Sequence, residues 1–430
     1  MSDRRSNRRA ARVAAAGAIA VGAALLAGPP IATASPPPGP SAASTADPRR
    51  FDDVRFSTFN ASLNRSASGQ LITDLSTPAN EQAGNVAEIV QRVRPDVLLV
   101  NEFDYDASGT ALRLFQDNYL SVARNGSTPI SYPYRYSAPS NTGIPSGFDL
   151  DNSGSVGGPG DAYGFGFFPG QFGMAVYSRY PIETSQVRTF QNFLWKDMPG
   201  ALLPDDLATA EPADWYSAEE LAVFRLSSKS HWDLPIKIGR RTVHFLVSHP
   251  TPPVFDSAED RNGRRNHDEI RFWADYISPQ DAAYIYDDAG QRGGLKPSDR
   301  FVIAGDLNSD PHDGDSIPGA AQQVLDHPHV ATKYTPASAG AVEATALQGG
   351  INLEHEGNPA YDTADFAEPP GNLHVDYVLP SRGLPIRASG VFWPTTDDPL
   401  FRLTGFFNPD LPGGFASSDH RLVWIDVLVP

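Results

Sequence analysis

The 430-residue chain contains no cysteine and is poor in basic residues, and each shortage excludes a class of protein. Without cysteine it forms no disulfide and carries no lipid on a cysteine, so its stability must come from core size or bound ions. It has 34 lysines and arginines against 51 aspartates and glutamates, a net charge of −17 at pH 7. Proteins that bind nucleic-acid phosphates normally carry a basic surface, so this charge disfavours a nucleic-acid partner.

A long apolar run is also missing. The N-terminal apolar stretch, residues 13–28, is short and weakly hydrophobic for a membrane span. Five arginines precede it, two of them adjacent just before the run, and a small-residue cleavage site ends at Ala34. This order predicts a secretory signal peptide over residues 1–34, and the adjacent arginines suggest the twin-arginine route. We therefore expect a secreted protein that has no membrane segment after signal cleavage.

Signal cleavage would make the chain more acidic and leave one domain behind a linker. The signal contains five arginines and one aspartate, so 29 basic and 50 acidic residues would remain, a net charge near −21. Residues 35–50 are rich in proline, alanine and serine, which indicates a linker. Residues 51–430 show no internal repeat and no second linker, so we expect a single, monomeric domain.

Two stretches of this domain, residues 125–172 and 190–224, are too long for ordinary connections. Functional loops and local disorder are the alternatives. The second stretch contains a helical pattern from Ser217 to Phe224. In the first, Asp149 and Asp151 faintly resemble a Ca²⁺ loop, but no acidic residue follows at the twelfth position.

The segment from Arg300 to Pro311 is the strongest candidate for chemistry. Phe301 to Ala304 predicts a buried strand, and Gly305 allows the backbone to turn after it. If the chain stays extended, a spacing of two puts the Asp306 and Asn308 side chains on one face, aimed at the same reacting group. An ordinary solvated turn is the alternative. A Ca²⁺ loop is disfavoured because Pro311 occupies the position where that loop needs glycine.

Other polar residues stand at the ends of further predicted strands: Asn60, Glu102, His249, Asp376 and the pair Asp419-His420. Burying Glu102 at the end of an apolar strand is costly unless a cation pairs with it. An exposed glutamate at the rim is the alternative.

Two amphipathic helices are predicted between the strands. Thr77 and Pro78 are a good N-cap and first residue for a helix over 78–93. Asn266 and Glu269 resemble a capping box at the start of the second helix.

A cluster of cationic side chains precedes one predicted strand: Arg225, Lys229 and His231. In so acidic a chain it is a candidate phosphate-binding site that contacts the substrate. A surface charge cluster is the alternative.

Taken in order, the strand-end residues resemble the endonuclease/exonuclease/phosphatase superfamily over residues 52–430. The Gly-Asp-Leu-Asn sequence at 305–308 and the Ser-Asp-His sequence at 418–420 carry most of this resemblance. It implies an α+β fold, a four-layer α/β/β/α sandwich of two mixed β-sheets flanked by helices. It also implies a divalent-metal-dependent phosphoesterase that hydrolyses phosphate mono- or diesters by in-line attack of an activated water.

The resemblance also implies roles for individual residues. Mg²⁺ or Mn²⁺, with Ca²⁺ as a further candidate, would be bound by Glu102, Asn60 and Asp419. Asp306 would activate the attacking water and Asn308 would hold it. His249 and His420 would donate to phosphate oxygens, with Asp376 fixing the tautomer of His420. One departure is Asn101, which precedes Glu102 where the family more often has glutamine.

Two other functions remain as alternatives. An extracellular endonuclease or exonuclease would use the same fold, but the net acidity disfavours it. A catalytically silent binding module would have lost part of the residue set, and here every expected position is occupied.

Overall fold

The computed structural model describes residues 51–430, so the predicted signal peptide and the linker up to residue 50 lie outside the described residues. The strands are β1 (Asp52–Leu63), β2 (Val97–Phe103), β3 (Tyr134–Tyr136), β4 (Met174–Ser178), β5 (Arg188–Thr189), β6 (His231–Ile238), β7 (Arg241–Ser248), β8 (Arg300–Asp306), β9 (Ala364–Asp365), β10 (Asn372–Leu373), β11 (Asp376–Pro380), β12 (Ile386–Val391) and β13 (Val423–Val429). The α-helices are α1 (Gln70–Leu75), α2 (Glu81–Val93), α3 (Thr110–Phe115), α4 (Ala218–Leu221), α5 (Arg261–Tyr276), α6 (Gln322–Leu325) and α7 (Ala339–Gln348).

Most of the strands form two mixed sheets. The first has the strand order β12-β13-β1-β2-β4-β3 and the second the order β11-β8-β7-β6-β5. In the first sheet β1 runs parallel to β2 and antiparallel to β13. In the second, β8 runs parallel to β7 and antiparallel to β11. The short strands β9 and β10 pair with each other beside these sheets.

The two sheets pack face to face through one apolar core. Phe56 of the first sheet and Phe245 of the second lie with their ring centroids 5.5 Å apart. Alternate residues of each strand point inward, as the period of two requires. The inner core includes, from both sheets, Val54, Val97, Val176, Ile425, Leu234, Val302 and Val378.

Helices cover the outer faces of both sheets. The apolar stripe of α2, including Val86 and Val90, packs with Phe59 and Val100 of the first sheet. On the other side, Trp273 and its neighbours on α5 pack with outward-facing residues of the second sheet. The predicted α+β fold and its four-layer order are therefore confirmed.

Both helices begin at residues other than those predicted. α2 starts at Glu81, because the Asn80 side chain accepts a hydrogen bond from the Ala83 N–H at 2.9 Å and acts as the N-cap. α5 starts at Arg261, so Asn266 lies inside the helix. Asn266 instead donates to the carbonyls of Thr251 and Leu307 at 2.8 and 2.9 Å, which ties α5 to two loops at the site.

Gly305 lies inside β8, and the prediction that it lets the chain turn is wrong. A Cβ atom at this position would lie 2.1 Å from the Ser248 carbonyl oxygen of the neighbouring β7. Glycine is therefore needed for the close approach of two parallel strands. That approach sets the distance between the ends of β7 and β8.

The two long stretches are packed parts of the domain. In residues 190–224, Phe190, Phe193 and Trp195 join the core beneath α5. In residues 125–172, the Asn141 backbone N–H donates to the Lys229 carbonyl at 2.8 Å. Within residues 51–430, no helix has both the length and the apolar character needed to cross a membrane.

Candidate active site

The topology gathers the predicted polar residues at one edge of the sandwich. The carboxyl ends of the parallel pairs β1/β2 and β7/β8 meet there, bringing Asn60, Glu102, His249 and Asp306 to the same edge. Antiparallel partners add their first residues: Asp376 lies directly opposite Asp306 in the β11/β8 register. The loop before β13 brings Asp419 and His420.

Asp306 is the centre of this cluster. Its carboxylate oxygen Oδ2 accepts a hydrogen bond from Asn60 Nδ2 at 3.0 Å, and His249 Nε2 lies 3.4 Å from the same oxygen. The other oxygen, Oδ1, accepts from the Asn308 backbone N–H at 2.8 Å. Burial alone would raise the pKa of Asp306, but the positive charge of His420 and the bond from His249 hold it well below its usual range. Asp306 is therefore ionised.

His420 lies between two buried carboxylates. Its Nδ1 is 2.9 Å from Asp376 Oδ2 and its Nε2 is 3.6 Å from Asp306 Oδ2. Burial lowers the pKa of His420, but the charges of Asp376 and Asp306 outweigh it and raise that pKa well above its usual value. The Thr363 hydroxyl also donates to Asp376 Oδ2 at 2.9 Å, which fixes the carboxylate behind the ring. His420 is thus oriented as a protonated donor.

Glu102 and Asp419 form the second acidic part of the site. Burial, followed by the nearby charge of Asp419, raises the pKa of Glu102 to about 7. Glu102 also has a left-handed backbone conformation, with φ of 57°. Such a conformation costs about 1–3 kcal/mol at a non-glycine residue and is concentrated at functional sites. Among the described residues the Glu102 carboxylate has no hydrogen-bond partner.

This arrangement fits a divalent cation. The charge of Asp419 acts on Glu102. Ser62 lies between Asp419 and Asn60: its hydroxyl donates to Asp419 Oδ1 at 3.1 Å, and its N–H makes a 3.3 Å bond to the Asn60 amide oxygen. A set of carboxylate and amide oxygens is the ligand type that hard cations such as Mg²⁺ prefer. A bound cation would also relieve the repulsion that raises the pKa of Glu102.

Two groups of carboxylate and histidine side chains have metal-like spacing in residues 51–430, and neither contains Glu102 or Asp419. Ligand atoms of Asp306, Asp376 and His420 lie within 4.8 Å of one another, but these atoms already bind each other. The carboxylates of Asp149, Asp151 and Asp161 also lie within this distance. The Asp149 and Asp161 carboxylates accept backbone N–H groups and close the loop.

The backbone conformation that places Asn308 at the site differs from the predicted one. β8 ends at Asp306, and Asn308 has a left-handed backbone with φ of 50°, so the two residues are not on one face of an extended strand. The Asn308 side-chain Nδ2 donates to the Pro250 carbonyl at 3.1 Å. This bond turns the carboxamide toward the loop after β7, beside Lys229.

Lys229 is the one member of the predicted cationic cluster that lies in the site. Its side chain is buried, and its Nζ lies 3.4 Å from the Pro250 carbonyl oxygen. Burial lowers the pKa of its ammonium group, while the charges of Glu269, Glu102 and Asp306 oppose that change. Lys229 thus places a positive charge near the acidic residues, with donors left over for a substrate oxygen.

His231 and Arg225 are not brought to the cluster, and these two predictions are corrected. The His231 ring is buried in the core, with Nδ1 2.6 Å from Ser227 Oγ and Nε2 2.9 Å from the Glu269 carbonyl. The Arg225 guanidinium donates to Asn141 Oδ1 at 2.6 Å and lies 4.1 Å from the Tyr163 ring centroid. Arg225 thus holds the long loop at residues 141 and 163, and His231 ties β6 to α5.

Asn101 and Thr363 support the site and were not among the predicted site residues. Asn101 Oδ1 accepts the Thr58 hydroxyl at 3.1 Å and the Asp306 backbone N–H at 3.4 Å, which links the two sheets. Its place beside Glu102 at a strand end was a usable signal. Thr363 lies in a loop without regular structure, and nothing in its sequence neighbourhood marks it.

The fold and this cluster together define the class of metal-dependent phosphoester hydrolases. The sequence matches the model of the Endonuclease/Exonuclease/phosphatase family over residues 57–420. The chain therefore belongs to that family, and it is a phosphoric ester hydrolase. No curated protein sequence matches the chain significantly.

Several solved structures are similar to this chain. An endonuclease/exonuclease/phosphatase from Beutenbergia cavernae is 17% identical, with 88% of this chain and 72% of that chain covered and a TM-score of 0.46. Sphingomyelinase C from Streptomyces griseocarneus is 16% identical, with 87% and 99% covered and a TM-score of 0.44. Truncated TDP2 from Caenorhabditis elegans is 14% identical, with 88% and 98% covered and a TM-score of 0.39.

Because Lys229 lies in the site and His231 in the core, mutation of Lys229 should affect substrate binding and mutation of His231 should affect stability. Lys229→Met keeps the side-chain length but removes the charge, so we expect KM for a phosphate ester to rise at least tenfold while the melting temperature changes little. His231→Gln should lower the free energy of unfolding by about 2–4 kcal/mol, because two buried hydrogen bonds are disturbed, and leave KM within twofold. Steady-state kinetics and urea unfolding measure both effects. A large KM change in His231→Gln alone would contradict these placements.

Burial of His231 also predicts acid sensitivity. Burial lowers its pKa to about 4, whereas the unfolded value is about 6.5. Below pH 6.5 the unfolded chain therefore binds a proton that the folded chain does not, and stability falls until about pH 4. Between pH 6.5 and 4.5 we expect the wild type to lose about 2 kcal/mol more than His231→Gln. Urea unfolding at several pH values tests this, and parallel stability curves would refute it.

Proposed function

We propose that this protein is a secreted phosphoesterase that uses Mg²⁺ or Mn²⁺ to hydrolyse phosphate mono- or diesters by in-line attack of water. The observation that carries the proposal is the convergence of Asn60, His249 and His420 on the Asp306 carboxylate, beside the acidic pair Glu102 and Asp419. Secretion is supported by the predicted signal peptide alone. We propose that the working form is a monomer.

The chain's own residues supply positioning and charge, which phosphoryl transfer needs most. We assign Asp306 to orient the attacking water and to accept its proton as the new P–O bond forms and the ester P–O bond breaks. The hydrogen bonds that lower the pKa of Asp306 keep it ionised and fix its direction. They also make it a weak base, so orientation of the water is its larger contribution.

The remaining residues stabilise the charge on the phosphate oxygens. His420, held protonated by Asp376, and Lys229 both present cationic donors toward the site. We assign Asn308 to hold the water or a phosphate oxygen with the oxygen of its carboxamide. A divalent cation on Glu102, Asp419 and Asn60 would neutralise phosphate charge and supply electrostatic activation.

The metal assignment predicts a change in thermal stability that does not depend on activity. After treatment with EDTA, Mg²⁺ or Mn²⁺ should raise the melting temperature of the wild type, since a ligand at 100 times its Kd adds about 2.7 kcal/mol. Glu102→Gln should lose most of this response, and the exposed Glu211→Gln should keep it. An equal response in Glu102→Gln would place the cation elsewhere.

The assignment of Asp306 predicts a loss of turnover with the fold retained. Asp306→Asn should lower kcat for bis-p-nitrophenyl phosphate or p-nitrophenyl phosphate by about 10³-fold or more, while the exposed Asp315→Asn stays near wild type. Circular dichroism checks the fold of each variant. Substantial activity in Asp306→Asn would contradict the assignment of Asp306 to the attacking water. A strong preference for plasmid DNA over both small esters would favour the nuclease alternative.

A further inference from the structure

A cavity of about 580 Å³ lies along the outer side of β11, next to the proposed active site. Asp376, which orients His420, forms part of its wall, followed by Tyr377 and Val378 of the same strand. The opposite wall comes from the loops after β8 and around residues 356–362. Its volume is in the range of pockets that hold small organic ligands.

The cavity is acidic. Five carboxylates line it, and within the described residues neither lysine nor arginine does; the five are Asp310, Asp326, Glu356, Asp362 and Asp376. Tyr334 and Tyr361 add aromatic faces to the lining. Carboxylates combined with aromatic rings are the usual surroundings of bound ammonium groups.

Two polar side chains in this wall are largely buried, and one of them has no side-chain hydrogen-bond partner among the described residues. His374 is 8% exposed, and no hydrogen bond joins its ring nitrogens to any described residue, although its ring lies 4.4 Å from that of Tyr377. Asp362 is 7% exposed, with the Thr345 hydroxyl as its hydrogen-bonding neighbour. Buried polar groups are normally satisfied, so the unpartnered ring of His374 points to a ligand in the cavity.

The surroundings of Asp362 favour a positive charge on the ligand. Burial, and then the charges of Asp310 and Asp313, raise the pKa of Asp362 to about 8, and a cation bound beside its carboxylate would lower that pKa and ionise it. Burial likewise lowers the pKa of His374 to about 3, which leaves its ring neutral and able to accept a hydrogen bond. A cation that also carries a hydroxyl or N–H donor would satisfy both groups.

The size of the cavity selects an organic cation over a metal ion. The cavity is far larger than an ion, and of its carboxylate and imidazole groups only Asp376 belongs to a group of three with metal-like spacing in residues 51–430, a group completed by Asp306 and His420 of the active site. We propose that this cavity binds an organic cation of the ammonium type, with Asp362 and Asp310 as counter-charges and the tyrosine rings as cation–π partners. The binding proposal stands on the cavity alone and does not rest on the proposed function.

Binding of choline to the full chain tests the proposal, with 3,3-dimethyl-1-butanol as a neutral molecule of the same shape. Isothermal titration calorimetry should detect choline and show at least tenfold weaker binding of the neutral alcohol. Asp362→Asn should weaken choline binding at least tenfold. Should this buried substitution disturb folding, the exposed pair Asp326→Asn with Glu356→Gln should weaken binding at least threefold, whereas Glu354→Gln, outside the cavity, should not.

Four outcomes would overturn the proposal, three of them from the binding measurements. These three are no choline binding at millimolar concentration, equal binding of the neutral alcohol, and equal binding by all variants. Displacement of choline by Mg²⁺ or Ca²⁺ alone at this cavity would also overturn it, because the site would then belong to a metal ion.

A kinetic experiment separates two sources of the cation, and only this part rests on the proposed function. If the cation is part of the substrate, p-nitrophenylphosphorylcholine should show at least tenfold higher kcat/KM than bis-p-nitrophenyl phosphate, and choline should inhibit it competitively. If the cation is a separate effector, choline should change kcat for bis-p-nitrophenyl phosphate without competing. Either result supports an occupied cavity. Calorimetric binding without any activity would reject the proposed function and leave the cavity assignment intact.

Discussion

The hydrogen bond from Asn60 to Asp306 crosses from one sheet of the sandwich to the other, and the site depends on it. Asn60 lies near the end of β1 and Asp306 ends β8, so their 3.0 Å contact fixes the relative position of the two sheets at the catalytic edge. Asn101 adds a second link, to the Asp306 backbone. Both links are buried, where an unmade hydrogen bond costs about 1–3 kcal/mol. The apolar core between the sheets brings these groups together, and the polar links set their register.

The charges around this link are balanced in one half of the site and unbalanced in the other. His420 lies between Asp376 and Asp306 and compensates two buried carboxylates. Glu102 is compensated only in part, by His420 and Lys229, while burial and the charge of Asp419 raise its pKa. The strained backbone of Glu102 adds to this cost. The unpaired charge and the strained backbone destabilise the folded protein when no cation is bound. Such local destabilisation is expected at functional sites.

The two acidic regions of the protein differ in how their carboxylates are arranged. The carboxylates at the catalytic edge converge on a small volume, together with amide oxygens and a lysine. Those of the cavity beside β11 are spread over a much wider wall that also carries tyrosine rings. Asp376, which orients His420, is also part of the cavity wall.

From the sequence alone, periodicity predicted the strands at whose ends the site residues stand, and short motifs indicated the family, whose resemblance in turn implied the four layers. Periodicity and short motifs are local properties of the chain. The tertiary structure alone decided which polar residues meet. Asp376 faces Asp306 because of the β11/β8 register, and Lys229, but neither His231 nor Arg225, enters the site because of how the long loop packs. Asn308 was expected on an extended strand, yet a left-handed backbone places it. Register and loop packing depend on contacts between residues far apart in the chain, which no local pattern records.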